Sequence, residues 1–346
     1  MSKKTRIILC TIIGIVIMIL VGLFIYFRYF NNNSKPVTKK HKTKKIEKKV
    51  QIVDLNSDSR PYAVMINNIS DVWGYQSGIQ DAYLVYEIIV EGGYTRLMAI
   101  FKDRDLERIG SVRSSRHYFL DYALENDAVY VHFGWSPQAM SDIKSLGVDN
   151  INFLTYAKGY TRDTSLRLSR EHTAFTSTQK IEDAMDSFKY SHKSNQPLLL
   201  NYSANDINLS KKQGSMSANK VYIAYSKNRS TSYEYDSINQ VYKRFQNGVE
   251  HSDYVTKKQY TAKNIIVYKV SNYTLNNDDK NRQDIDNIGK GEGYYISNGL
   301  AVPITWEKQS RKSQTIYKYL DGQEITGNDG NTFIQIQPNG MILNIE

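Results

Sequence analysis

The sequence predicts an N-terminal transmembrane helix, then an α/β layered domain, then a smaller, mostly antiparallel β domain. Three observations predict this. Residues 7–27 form an uncharged apolar run. Residues 57–192 alternate β-rich apolar runs with segments that carry helix caps. Residues 220–346 hold short β-branched and aromatic runs separated by Asn-Gly and Asp-Gly dipeptides, whose tolerance of positive φ suits hairpin turns.

The apolar run Ile7–Phe27 lies between Arg6 and Arg28. At about 1.5 Å per residue it spans roughly 30 Å, the thickness of a bilayer core. A cleaved signal peptide is the rival reading. It would have a shorter apolar core and a small-x-small cleavage site. Residues 1–28 are therefore expected to be a cytoplasmic tip and an anchor, contacting the membrane through residues 7–27. Residues 29–56 are polar and Lys-rich without apolar periodicity, as expected of a disordered basic stalk.

The charge pattern supports this division. The chain of 346 residues carries +10. Residues 1–50 hold 12 Lys or Arg against one acid, Glu47. The remaining 33 basic residues face 34 acidic ones, so the body carries −1. The basic pI therefore belongs to the tether, and nucleic acid is not an expected partner of the body. The tether would instead meet anionic envelope polymers or lipid head groups. Charge alone leaves the side of the membrane open. Lys and Arg after residue 27 favour a cytoplasmic body, yet long domains translocate largely regardless of charge.

Cys10 is the sole cysteine and lies inside the apolar run. The body can form no disulfide, cysteine zinc site or thiol nucleophile.

Within residues 57–192, Tyr62–Asn67, Ala82–Val90, Thr95–Phe101 and Ala128–Phe133 read as strands. Ser114 or Ser115 is expected to cap a helix to about Glu125. Ser136–Pro137 opens another, closed by Gly147, and Ser177 opens a third to about Phe188. Residues 193–219 read as a linker. The later strand expectations are Val221–Tyr225, Tyr233–Tyr235, Tyr242–Phe245, Ile265–Val270, Tyr294–Ile296, Ile304–Trp306, Ile316–Tyr319 and Thr332–Gln337.

Polar residues concentrate beside glycines in the first half. Arg113, Ser114 and Arg116 sit at an expected strand-to-helix junction. Two guanidinium forks, a hydroxyl and free helix-start amides suit a phosphate or carboxylate. The same Arg can instead pair with Glu87, Glu91 or Asp121 and hold the domain together. Glu87 and Glu91 can serve as an acid–base pair or as salt-bridge partners. His132 falls at a strand end, where α/β domains place functional groups, or is a hydrogen-bonded core histidine. Arg60, Asn67, Gln76, Asp81, Arg96, Asp121, Ser136, Arg170 and His172 complete the ligand-binding candidates. His251 with Asp253 reads as a turn network. Trp73, Trp135 and Trp306 can stack on sugars or pack in the core. No metal set or cofactor motif is apparent, and Ser141–Lys144 matches S-x-x-K without its companion elements.

Several blocks together resemble a known family. R-P-Y-A-V-M-I-N-N (60–68), the segment 76–97, I-G-S-V-R-S-S-R-H-Y-F (109–119) and V-H-F-G-W-S-P-Q-A (131–139) are similar to the YerB family of bacterial exported lipoproteins. So are H-S-D (251–253), A-K-N-I-I-V (262–267), G-E-G-Y-Y-I-S-N-G (291–299) and I-T-W-E-K (304–308). The resemblance covers about residues 58–340. It implies a two-domain exported protein of Gram-positive-type bacteria and supplies no reaction. Here a transmembrane anchor replaces the lipidated cysteine. The resemblance implies an extracytoplasmic body at the cell membrane with a single pass.

Three functional readings follow. One is a module that binds an anionic envelope ligand or a protein partner through the α/β domain. The second is an envelope hydrolase or transferase acting on a phosphate-containing or glycan substrate through Glu87, Glu91 and the Arg cluster. The third is a cytoplasmic body that binds nucleic acid, which requires a basic face.

Overall fold

The computed structural model describes residues 2–32 and 48–346. Most of the expected basic stalk, residues 33–47, lies outside them. The described residues fall into two compact units, residues 2–32 and 48–346. In the first, helix α1 covers Lys3–Asn32. Its segment Lys3–Phe30 is long and apolar enough to cross a membrane, with a mean hydropathy of 3.2 over its most apolar window.

The second unit begins as a mixed α/β layer. Its strands are β1 (Tyr62–Asn67), β2 (Leu84–Ile89), β3 (Thr95–Phe101), β4 (Val129–His132) and β5 (Asn150–Asn152). Helices α2 (His117–Leu124), α3 (Pro137–Leu146) and α4 (Thr178–Phe188) intervene or follow. Strands β6 (Lys220–Ser226), β7 (Arg229–Asp236), β8 (Val241–Gln246), β9 (Asn264–Val270), β10 (Gly289–Ser297), β11 (Leu300–Lys308), β12 (Ile316–Tyr319), β13 (Thr332–Pro338) and β14 (Leu343–Ile345) make the rest mostly antiparallel.

Local chemistry explains the helix ends. Ser136 accepts a hydrogen bond from the Ala139 amide, Pro137 takes the first helical position, and Gly147 closes α3 at φ 66°. Ser177 caps α4 through the Lys180 amide. Helix α2 differs from expectation. It starts after Arg116, which holds the N-cap position without a side-chain cap, while Ser115 Oγ accepts from the Tyr130 hydroxyl at 3.0 Å.

The two halves share one sheet of eleven strands. Its order runs Met216–Ser217, β11, β10, β9, β13, β2, β3, β1, β4, β5, with β12 pairing β11. The joint is β13, which pairs in parallel with both β9 and β2. Residues 193–219 contribute strands Asn201–Ser203 and Met216–Ser217. A second sheet is built on β8, β7, β6 and β14.

Alternation along β2 sets the two faces. Tyr86 points toward α2, its ring 5.0 Å from that of Tyr122. Glu87 points the other way, toward β7 and β8 of the second sheet. Phe333 on β13 shares that face and meets Tyr233 edge to face. The apolar core is therefore continuous across both halves.

Candidate functional site

Strands β1, β4 and β5 run parallel and end at one rim of the large sheet, where the antiparallel β3 begins. Asn67 and Arg96 are register partners there. The loop 90–94 between β2 and β3 lies at the same rim, as does the segment 111–116 before α2. These loops bring together residues that are far apart in the sequence.

On the α2 face, Arg116 donates to both oxygens of Glu91, from Nε at 2.9 Å and from Nη2. Arg96 Nη2 approaches the same carboxylate at 3.7 Å, and its Nη1 donates to the Ser114 carbonyl at 2.6 Å. Both arginines are buried. Burial, then the neighbouring Arg116 charge, draws the Arg96 guanidinium down to about 9. Burial alone would raise Glu91. The hydrogen bond from Arg116 and the charges of Arg96 and Arg116 outweigh it and hold the carboxyl at about 2. Arg113 donates to Glu171 at 3.1 Å, and the Asn67 amide nitrogen lies 2.9 Å from His172 Nδ1. Burial and the Arg113 charge lower His172, which favours the neutral ring. Three guanidinium groups thus face two carboxylates.

On the opposite face lies a closed polar network. Arg244 Nη2 donates to Glu87 at 2.6 Å, and both side chains are fully buried. The carboxylate also accepts from Thr95 at 2.8 Å and from Thr231 at 3.0 Å. The Gln246 carbonyl, in the orientation that satisfies its neighbours, accepts from Arg244 Nη1 and Nη2 at 2.7 and 2.6 Å. Arg244 also donates to His251 Nδ1, and His251 Nε2 donates to Gln76. Burial and the Arg244 charge keep that imidazole neutral. Gln76 in turn donates to the Asn67 carbonyl at 2.5 Å. A hydrogen-bonded chain therefore reaches from the second sheet to the rim.

These positions divide the sequence candidates. Asn67, Glu91, Arg96, Arg113, Ser114, Arg116 and His172 gather at the rim. Glu87 and Gln76 belong to the buried network, where Glu87 has no route to a substrate. His132 is fully buried, held by the Gly134 carbonyl at 2.8 Å and the Asn150 side chain at 3.1 Å, and burial lowers it to about 4. Asp121 is buried against Arg311 and Asn287. Ser136 is the cap of α3. Arg60 lies at the other end of β1, bonded to Asp127 and Asp149. Asp81 and Arg170 are exposed and outside the cluster.

Sequence reasoning missed Arg244, Arg229 and the buried Glu125–Lys308 pair at 2.8 Å. The legible signal was a lone acid inside the apolar run of β2, which requires a buried cation. Among the described residues no group of three or more His, Cys, Asp or Glu gathers to hold a metal.

Comparison with known proteins follows the same blocks. Residues 50–191 match the N-terminal domain, and residues 221–334 the C-terminal domain, of a family described as a protein of unknown function, DUF3048. The chain is 31% identical over 291 residues to YerB of Bacillus subtilis, named as a candidate lipoprotein, and the match covers 82% of each chain. The crystal structure of YerB from Bacillus subtilis matches with a TM-score of 0.71 at 28% identity, over 83% of this chain and 94% of that one.

Proposed function

The chain belongs to the DUF3048 family, with YerB among its relatives, and from that premise we propose a membrane-anchored cell-envelope protein whose extracytoplasmic body captures an anionic envelope ligand. The helix Lys3–Phe30 supplies the anchor. The rim residues Arg96, Arg113 and Arg116 supply the binding charge. The observation that carries this reading is the sharing of Glu91 by two buried arginines. One carboxylate does not neutralise two guanidinium groups, and the shortfall is met by an incoming phosphate or carboxylate.

The enzyme reading has less support. Its acid–base pair would need Glu87, which is sealed in the core, and Glu91, which is held ionised by two arginines. The nucleic-acid reading lacks a basic body.

Binding of the full chain in nonionic detergent to an immobilised polyol-phosphate polymer tests the proposal. Binding should fall with rising salt, because exposed phosphate contacts are screened. It should fall about tenfold or more in Arg113→Gln/Arg116→Gln. Equal capture by wild type and double variant, with the fold retained by circular dichroism, would sink it. Capture of an envelope protein instead of the polymer would replace the ligand with a protein partner.

A further inference from the structure

We infer that the second-sheet face of the same rim carries a separate oxyanion site, built on Arg229 and covered by Tyr94. This goes beyond the α2-face cluster and rests on different residues.

Arg229 opens β7 and is only 4% exposed. Among the described residues it takes part in no salt bridge. Its Nε and Nη1 atoms are buried without a hydrogen-bond partner among the described residues. The guanidinium carbon lies 4.5 Å from the Trp73 ring centroid and 5.1 Å from that of Tyr94. Aromatic faces stabilise the cation from above and below. They do nothing for N–H groups in the guanidinium plane, which need acceptors. A buried arginine with idle donors is costly, and a bound ligand is one group that would complete them. Glu87 is near enough to favour the charge, yet its oxygens are taken by Thr95, Thr231 and Arg244.

The surroundings fit an entry point. Trp73 is fixed by its indole N–H, which donates to the Asn68 carbonyl at 3.2 Å. Tyr94 is 43% exposed and follows Gly92 and Gly93, both at positive φ near 70°. The preceding loop is tied to the second sheet through Ser226 Oγ, which donates to the Gly93 carbonyl at 2.9 Å. Opening the site moves one exposed ring and leaves Trp73 in place. The ligand chemistry is an oxyanion: Nε and Nη1 lie on opposite edges of the guanidinium, so a phosphoryl or carboxylate group meets either of them, forked with Nη2.

The test uses the full chain in nonionic detergent with inorganic phosphate, acetate and chloride as probes. Calorimetric titration should give binding for phosphate or acetate and none for chloride. Arg229→Met should weaken it roughly tenfold or more, and Arg229→Lys, which keeps charge without the fork, should fall between. The discriminating readout is thermal unfolding without added anion. If Arg229 is held idle for a ligand, Arg229→Met in the Arg113→Gln/Arg116→Gln background leaves the midpoint unchanged or raises it, and abolishes the stability that phosphate gives that background. A lowered midpoint in Arg229→Met, with no phosphate effect on wild type, makes Arg229 a structural stacking residue and overturns the inference. Undiminished anion binding by Arg229→Met also overturns it. Arg113→Gln/Arg116→Gln should leave the Arg229-dependent effect intact, so failure at one face is distinguishable from failure at the other. Nanodiscs of phosphatidylglycerol against phosphatidylcholine then separate a lipid head group from a free anion.

Discussion

Replacing Arg244 with methionine removes one half of an ion pair that has no contact with water. The lost bonds are those to Glu87 at 2.6 Å, to Tyr233 at 3.3 Å, to His251 and to the Gln246 carbonyl. Glu87 keeps its hydrogen bonds from Thr95 and Thr231 but loses its counter-charge. An uncompensated buried charge typically costs about 3–5 kcal/mol. For a unit of this size that is a fall in midpoint of roughly 6–10 °C, at about 2 °C per kcal/mol. Removing both charges in Glu87→Gln/Arg244→Met should cost far less than the two single changes together, since the double variant strands no ion. Urea unfolding of the full chain, followed by circular dichroism and by tryptophan fluorescence, measures all four members of the cycle. A loss below about 1 kcal/mol in Arg244→Met, or a double variant as costly as the sum of the singles, would refute the reasoning. Either result would mean that water reaches Glu87.

Two further outcomes follow from the same geometry. Glu91 is held at about 2, below its ordinary 4.5. A depressed carboxyl contributes stability that is present above the unfolded pKa and lost as pH falls through the folded one. Wild type should therefore lose on the order of 3 kcal/mol between pH 4.5 and 2 through this group, and Glu91→Gln should show a flatter profile in that window. Urea midpoints across the window check it. Gly293→Ala should destabilise the joint between β9 and β10, because the added carbon would sit 2.5 Å from the Val267 carbonyl oxygen and 2.9 Å from Tyr268 Cβ. The backbone must shift, at a cost of about 1–3 kcal/mol, and a midpoint equal to wild type would count against the packing described.

What was readable in the sequence was local. The bounds of β1 and β3 and the caps of α3 and α4 follow from alternation and from side chains within a few residues of the element ends. The start of α2 was not readable from its serines: Arg116, a residue without a capping oxygen, holds the N-cap position, and Ser115 instead accepts from Tyr130 of a later strand. The joining of β2 to β13 was not readable either. Neither strand's sequence says which strand it pairs with, and only the closed sheet sets Glu87 beside Gln335. The candidate site shows the same limit. Glu87 stands out as an acid among apolar residues, and Arg244 alternates inward with Tyr242 and Gln246 on β8. Each announces a buried charge, but neither names its partner. Arg229 follows the exposed Lys227–Asn228 turn and reads as solvent-facing until Trp73 and Tyr94 close over it.

The distribution of counter-charges argues for where a ligand belongs. At the start of β1, Arg60 has two carboxylates to itself, Asp127 and Asp149. In the core, Arg244 has Glu87 and Lys308 has Glu125. These cations each have an acid, whereas Lys102 and Arg104 are held by backbone carbonyls instead. At the other end of β1 the ratio reverses. Arg96 and Arg116 divide Glu91, and Arg229 has no acid bonded to it. The loop 90–94 separates these two deficits, with Glu91 turned to one face of the sheet and Tyr94 to the other. A rim selected for stability alone would have gained a second acid at either place, at the usual small cost of a surface substitution. The absence of a second acid on both faces is the shared premise of the two anion-binding tests above.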